Sequence, residues 1–334
     1  MTLNSTSLLA YATPCRPPWY ARGGHGQTLW GHILPSAGRK FVEQRDRLHE
    51  VELPDGDRLR VFERLGTSNL RVLLFHGLSG DANSDYMQRT ATVMEQAGHG
   101  VWSVNHRGCG LGAGLARGAY HSGRSEDMAA VITASRAQDP GLKLLVIGFS
   151  LSGNIALLLA GRKDGELPDA LIAVNPPVDI GRTSVDIGRG PSRIYEMRFI
   201  LRLRRDLRAR QAAGLTSGHY RIPASASLID FDNLFTAPEC GFKNGADYYH
   251  KCSSLLHLKN IELPSAIISA ADDPFVDPIV YRNIPMSPVI HMHMEPCGGH
   301  IGYLGQNDRA GSRWLDGALL HYVTQFHGRM SGPG

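Results

Sequence analysis

Between Leu144 and Asn154 the chain reads LLVIGFSLSGN: an unbroken apolar run, then Gly148, then Ser150 among small residues, then a helix-forming run. That order predicts a strand, a sharp turn and a helix. So tight a turn holds its middle residue in a strained backbone conformation and lifts the side chain into solvent, where a hydroxyl is an accessible nucleophile. Gly148, Ser152 and Gly153 are small enough for strand and helix to cross closely. The motif G-x-S-x-G has Gly two places after the Ser; here Ser152 stands there, adding crowding that the turn is expected to tolerate. By itself the pattern also fits a Ser capping an ordinary helix, so its partners decide the reading.

A neutral Ser is a poor nucleophile. An imidazole has to take its proton, and a carboxylate has to hold that imidazole's tautomer and stabilise its cation. Downstream, the apolar run Ala266 to Ala270 leads into Ala271-Asp272-Asp273-Pro274, and the alternating run Val289 to Met294 leads into Glu295-Pro296-Cys297-Gly298-Gly299-His300. An Asp before Pro is commonly a turn former, and a His beside two glycines is commonly a solvated loop residue. Three pieces in the order Ser, Asp, His, each after a strand, outweigh those plainer readings. Ser150 is therefore expected as nucleophile, His300 as base and Asp273 as its orienting acid, with Asp272 the alternative acid. Charge on the carbonyl oxygen needs preorganised donors. The strand Arg71 to Phe75 runs into His76-Gly77-Leu78-Ser79-Gly80, so the backbone amides of Leu78 and Leu151 are the candidate oxyanion hole. His25, His76 and Gly77 are candidate pocket residues, although His76 is better read as holding its loop by hydrogen bonds.

Runs at Leu59 to Glu63, Val72 to Phe75, Val101 to Val104, Leu144 to Ile147, Ala170 to Val174, Ala266 to Ala270 and Val289 to Met294 alternate with helical stretches, the clearest being Tyr86 to Ala97 and Glu126 to Ala137. This predicts an α/β chain with a mostly parallel sheet covered on both faces, and such sheets place ligands beyond the carboxyl ends of their strands. From Pro176 to about Gly245 the alternation lapses. Residues 1–177 are read as an N-terminal extension and the first part of the core, 178–245 as a helical cap insertion, and 246–334 as the rest of the core. Within the insertion, Phe199, Ile200, Leu203 and Leu207 form one stripe with Arg198, Arg202 and Arg205 opposite. The basic face suits either solvent or peripheral contact with phospholipid headgroups and anionic substrates.

With 334 residues, 42% of them hydrophobic, the chain can bury a sizeable core, and its net charge of +4 falls short of the clustered basicity of a nucleic-acid binder. Leu8 to Ala12 is a short apolar stretch without a basic leader, so neither a signal peptide nor an anchor is expected. Five scattered cysteines without C-x-x-C spacing fit reduced thiols, and a cytoplasmic location is the expectation. His291-x-His293 places two imidazoles on one face of a strand, but no third ligand has a persuasive spacing; neither metal nor cofactor is expected.

Further elements join these. Gly24-His25-Gly26-Gln27-Thr28, His76-Gly77-Leu78, Asn105-His106-Arg107-Gly108-Cys109-Gly110, Gly241-Phe242 with Asp247-Tyr248-Tyr249, Asp272-Asp273-Pro274-Phe275 and Gly298-Gly299-His300-Ile301-Gly302 accompany the Ser150 turn. Over nearly its whole length the chain resembles the YheT-like group of α/β-hydrolases, related to abhydrolase-domain esterases and lipases. The resemblance implies an α/β-hydrolase fold and a serine hydrolase acting on small-molecule or lipid carboxylic esters, from short-chain acyl esters to monoacylglycerols and phospholipids. It carries the catalytic roles onto Ser150, Asp273 and His300. Gly26 and Ser152 depart from the residues usual at those places. His25 reads as a buried structural histidine or as a pocket wall or loop tether, and Arg107 as a tie for its loop. An acyltransferase would use the same residues, and a non-catalytic binder on this scaffold commonly lacks one of them.

Overall fold

The computed structural model describes residues 8–282, 284–305 and 313–331. Among these, eight strands form one sheet: β1 (Arg47–Glu52), β2 (Arg58–Arg64), β3 (Leu70–Phe75), β4 (Gly100–Asn105), β5 (Lys143–Phe149), β6 (Ala170–Val174), β7 (Ser265–Ala270) and β8 (Ile290–Glu295). Their order across the sheet is β1-β2-β4-β3-β5-β6-β7-β8. β2 runs antiparallel to both neighbours, and every other adjacent pair is parallel.

The apolar runs are continuous because both faces of the parallel strands are covered. On β5, Leu145, Ile147 and Phe149 join a core cluster on one side of the sheet, while Leu144 and Val146 join the cluster on the other. Helix α1 (Gly23–Ile33) precedes the sheet, and α2 (Asp85–Gln96), α3 (Ser125–Gln138) and α4 (Leu151–Arg162) follow β3, β4 and β5. Met87, Ala91 and Met94 of α2 cover the first face; Met128, Val131 and Ile132 of α3 and Ile155, Leu157 and Leu159 of α4 cover the second. β1 was not foreseen. Its sequence RLHEVE is heavily charged, and as an edge strand it buries only Val51 fully.

Between β6 and β7 the chain forms α5 (Ile180–Asp186), α6 (Arg193–Ala212), α7 (Leu228–Phe231), a π-helical turn (Asp232–Thr236), α8 (Ala237–Glu239) and α9 (Gly245–Cys252). Ile187, Ile200, Leu207, Phe231 and Phe235 from this stretch pack with Ala119, Phe275 and Val276 into a separate apolar cluster. The last helix, α10 (Trp314–Met330), returns to the first face of the sheet through Leu315, Leu319, Tyr322 and Phe326.

The loop after β4 is tied by Arg107, in keeping with the role read for it. Its guanidinium donates to both carboxylate oxygens of Asp127 at 2.7 and 2.6 Å and to Asp55 and Asp57 at 2.6 and 2.5 Å. Asp127 is fully buried. Replacing Arg107 with Met is expected to cost about 3–5 kcal/mol, since it strands a buried carboxylate. Urea denaturation checks this, and a loss below about 1 kcal/mol would place the weight elsewhere.

Candidate active site

Five loops at the carboxyl edge of the sheet meet at Ser150. The residue follows β5 directly, and its φ of 50° with ψ of −118° holds it outside the ordinary regions, as a tight strand-to-helix turn requires. Its N–H donates to Val174 O of the neighbouring strand at 2.8 Å, and its C=O accepts from Gly153 N at 2.8 Å. A Cβ on Gly148 would strike the backbone of Ser152, so only Gly permits this crossing of strand and helix.

Ser150 Oγ lies 2.8 Å from His300 Nε2, and His300 Nδ1 lies 2.7 Å from Asp273 Oδ2. With Nδ1–H donating to the carboxylate, Nε2 is left free to accept from the Ser150 hydroxyl. Asp273 Oδ1 accepts from the amides of Phe275 and Val276 at 3.1 and 3.0 Å, and Oδ2 also accepts from Asn175 Nδ2 at 2.8 Å. The carboxylate thus has four hydrogen-bond donors and is buried. Asp272 points elsewhere: its Oδ1 accepts from Gly298 N and Gly299 N at 2.9 and 2.8 Å, pinning the loop that carries His300.

Several supporting residues escaped the sequence reading. Asn175, at φ 44°, bridges Asp273 and Gly299 O, and its own Oδ1 accepts from Tyr303. Thr28 Oγ1 accepts from His300 N at 2.9 Å. Gln27 is fully buried and bonds Leu304 through both N–H and C=O, so the G-H-x-Q-T element of α1 braces the His300 loop from behind. A Cβ on Gly24 would collide with the Asp272 carbonyl, which explains that glycine.

His25 sits differently from the buried reading, while His76 holds its loop as read. His25 is exposed rather than buried; its Nδ1 lies 3.1 Å from the Tyr195 hydroxyl and its ring stacks on Tyr195, tethering α1 to α6. Of the three candidate pocket residues, Gly77 lines the cleft, and neither His25 nor His76 does. His76 is fully buried, donating from Nδ1 to Gly77 O at 2.8 Å and accepting at Nε2 from His106 N at 3.2 Å. Ser152 turns away from the nucleophile. Its hydroxyl donates to His76 O and accepts from His106 Nε2 at 2.7 Å, beneath the loops rather than beside the reaction.

Burial pushes the His76 imidazole down to about 4, and it drives His106 and His121 the same way. An unfolded His takes a proton near 6.5, so the stability from keeping His76 neutral is complete above that pH and is lost as pH falls toward 4. Relative to wild type, His76→Gln should remove about 3 kcal/mol of the stability change between about pH 7 and pH 4. Urea titrations across that range read the slope, and parallel slopes would contradict the assignment.

His291 and His293 both meet the Tyr322 hydroxyl, at 3.2 and 2.7 Å, and His293 Nε2 lies 3.2 Å from Glu295 Oε2. Among the described residues no group of three His, Cys, Asp or Glu side chains is placed to hold a metal ion.

A cleft of about 390 Å³ opens over Ser150 and His300, walled by Gly77, Leu78, Tyr195, Phe199 and Phe275. Leu151 follows Ser150 directly in the chain, and Leu78 lines the same cleft as Ser150, while Gly77 N is already spent on the Tyr86 hydroxyl at 3.0 Å. A larger and more apolar cavity, about 590 Å³, lies under α6 and α7, lined by Leu151, Leu203, Leu207, Phe231 and Phe235. The two spaces share Leu78 and Ser79 as lining.

Sheet order, the strained Ser at the end of β5 and the helices on both faces define an α/β-hydrolase. Residues 66–284 match the family model Hydrolase_4, described as serine aminopeptidase, S33. The chain belongs to this family and is a YheT-like α/β-hydrolase, a serine hydrolase of the esterase and lipase kind. It is 28% identical to YheT of Escherichia coli over 312 residues, covering 90% of each chain. Identity to a monoacylglycerol lipase of Saccharomyces cerevisiae is 26%, covering 90% of this chain and 68% of that protein. Among solved structures, the esterase Pf2001 of Pyrococcus furiosus superposes with a TM-score of 0.58 at 15% identity, over 90% of this chain and 97% of that one, a likeness of fold.

Proposed function

We propose that the protein is a carboxylic ester hydrolase working through an acyl-enzyme on Ser150. The observation that carries this reading is the bridging of Ser150 and Asp273 by the two nitrogens of one imidazole, at 2.8 and 2.7 Å. Ser150 Oγ attacks the ester carbonyl as its proton passes to His300 Nε2, and the resulting imidazolium is stabilised by Asp273. The oxyanion is held by the amides of Leu78 and Leu151. Collapse of the tetrahedral intermediate breaks the bond to the alcohol, which leaves with the proton from His300. Water then repeats the sequence on the acyl-enzyme and releases the acid.

Residues 178–245 form the cap in this reading, and the apolar cavity beside Leu151 takes the acyl chain. A pre-steady-state experiment with p-nitrophenyl esters tests the reaction type. The expected result is a burst of p-nitrophenolate stoichiometric with enzyme, followed by steady turnover in water, with medium-chain esters preferred over acetate. No burst and no turnover with any ester would overturn the reading; turnover only with an added alcohol would replace hydrolase by acyltransferase.

A further inference from the structure

The longest helix of the stretch between β6 and β7 carries an apolar stripe on its outer side as well as its inner one. Ile200 and Leu207 of α6 are buried, but Ile194, Met197 and Leu201, spaced three and four residues apart along one face, are 66%, 59% and 65% exposed. The sequence of α6, RIYEMRFILRLRRDLRARQA, holds seven Arg against two acids. One of those acids, Glu196, is buried and accepts from Leu228 N. Arg193, Arg198, Arg202, Arg205 and Arg208 are exposed and enter no ion pair with the described residues. A solvated helix has no use for an exposed aliphatic stripe set among arginines that so far outnumber its acids.

The other side of the cleft mouth repeats the pattern. Leu29, Trp30 and Ile33 of α1 are 44%, 37% and 57% exposed, and Trp19 and Tyr20 just before it are 80% and 43% exposed. Eight of the sixteen large apolar side chains exposed among the described residues therefore fall within 19–33 and 194–201. These two segments frame the opening over Ser150: Leu29 and His32 line it from α1, and Tyr195, Arg198, Phe199 and Arg202 from α6. The His25–Tyr195 stack joins them. Exposed apolar surface gathered in one place marks an interaction site.

We propose that this rim docks on an anionic phospholipid bilayer, with the outer stripe of α6 and the exposed side chains of 19–33 entering the headgroup region and the arginines meeting lipid phosphates. The pairing of apolar groups with Arg, and the two Trp, match what an anionic membrane interface selects. Contact is peripheral, because among the described residues no helix is long and apolar enough to cross a membrane. Docking stands apart from the esterase reading; the consequence that esters enter the cleft from the bilayer rests on it.

Co-sedimentation of the full chain with vesicles tests this, using phosphatidylcholine alone and equal parts phosphatidylcholine and phosphatidylglycerol. Wild type should sediment with the anionic vesicles and about tenfold less with the neutral ones, with binding reduced by high salt. The Ile194→Ser/Met197→Ser/Leu201→Ser variant should lose at least about tenfold in binding, as should Arg193→Gln/Arg208→Gln. Both should keep wild-type hydrolysis of a soluble short-chain ester and an unchanged circular dichroism spectrum. Failure of wild type to bind anionic vesicles, or undiminished binding by both variants, overturns the proposal. A wild-type dimer that the triple Ser variant reduces to a monomer would assign the face to a second copy instead and overturn it equally.

Discussion

Replacing Ser150 with Ala is expected to lower kcat for a p-nitrophenyl ester by about 10⁶-fold while leaving the fold and KM nearly unchanged. The loss is so large because the Ser150 turn has no substitute. Ser152, the neighbouring hydroxyl, is fully buried and committed to His76 O and His106. The remaining rate would come from the amides of Leu78 and Leu151 and from binding alone, still above that of free water. Circular dichroism of the variant should match wild type, because the Ser150 side chain makes no contact on which the turn depends beyond His300. A variant retaining activity within about tenfold of wild type would be incompatible with a Ser150 acyl-enzyme.

The two adjacent acids should separate sharply. Asp273→Asn is expected to cost about 10⁴-fold in kcat. The Asn carbonyl would stay with the amides of Phe275 and Val276, turning its NH₂ toward His300 Nδ1. Nδ1 would then accept, Nε2 would carry the hydrogen, and the imidazole could no longer take the proton of Ser150. Asp272→Asn keeps an oxygen for Gly298 N and Gly299 N, so most of the rate should survive, with the change showing as a lower melting temperature. Steady-state kinetics of the two variants side by side checks this, and the reverse ranking would make Asp272 the orienting acid.

Much of the fold was legible because the parallel strands are buried on both faces, which writes them into the sequence as short unbroken apolar runs. β1 was hidden by the opposite circumstance: at the edge, with five of its six residues in contact with water, it has no such signature. The order of Ser150, Asp273 and His300 could be read because each follows a strand. What could not be read is direction. Asp272 and Asp273 are chemically alike, and only the folded loop sends one to His300 and the other to the Gly298–Gly299 amides. The same holds for Ser152, whose hydroxyl points beneath the loops, and for Thr28, which meets His300 across 272 residues. On α6 the inner stripe was visible, but the outer one was masked, since apolar residues fall on both faces and cancel any single periodicity.

The most direct measurement is the site of covalent labelling by a fluorophosphonate, read by peptide mass spectrometry. The account requires one adduct per chain, on Ser150, in wild type; none in Ser150→Ala; and slow labelling in Asp273→Asn, where His300 no longer takes the proton. Adduct on any other residue, or equal labelling of Ser150→Ala, would contradict the assignment of Ser150 as the nucleophile.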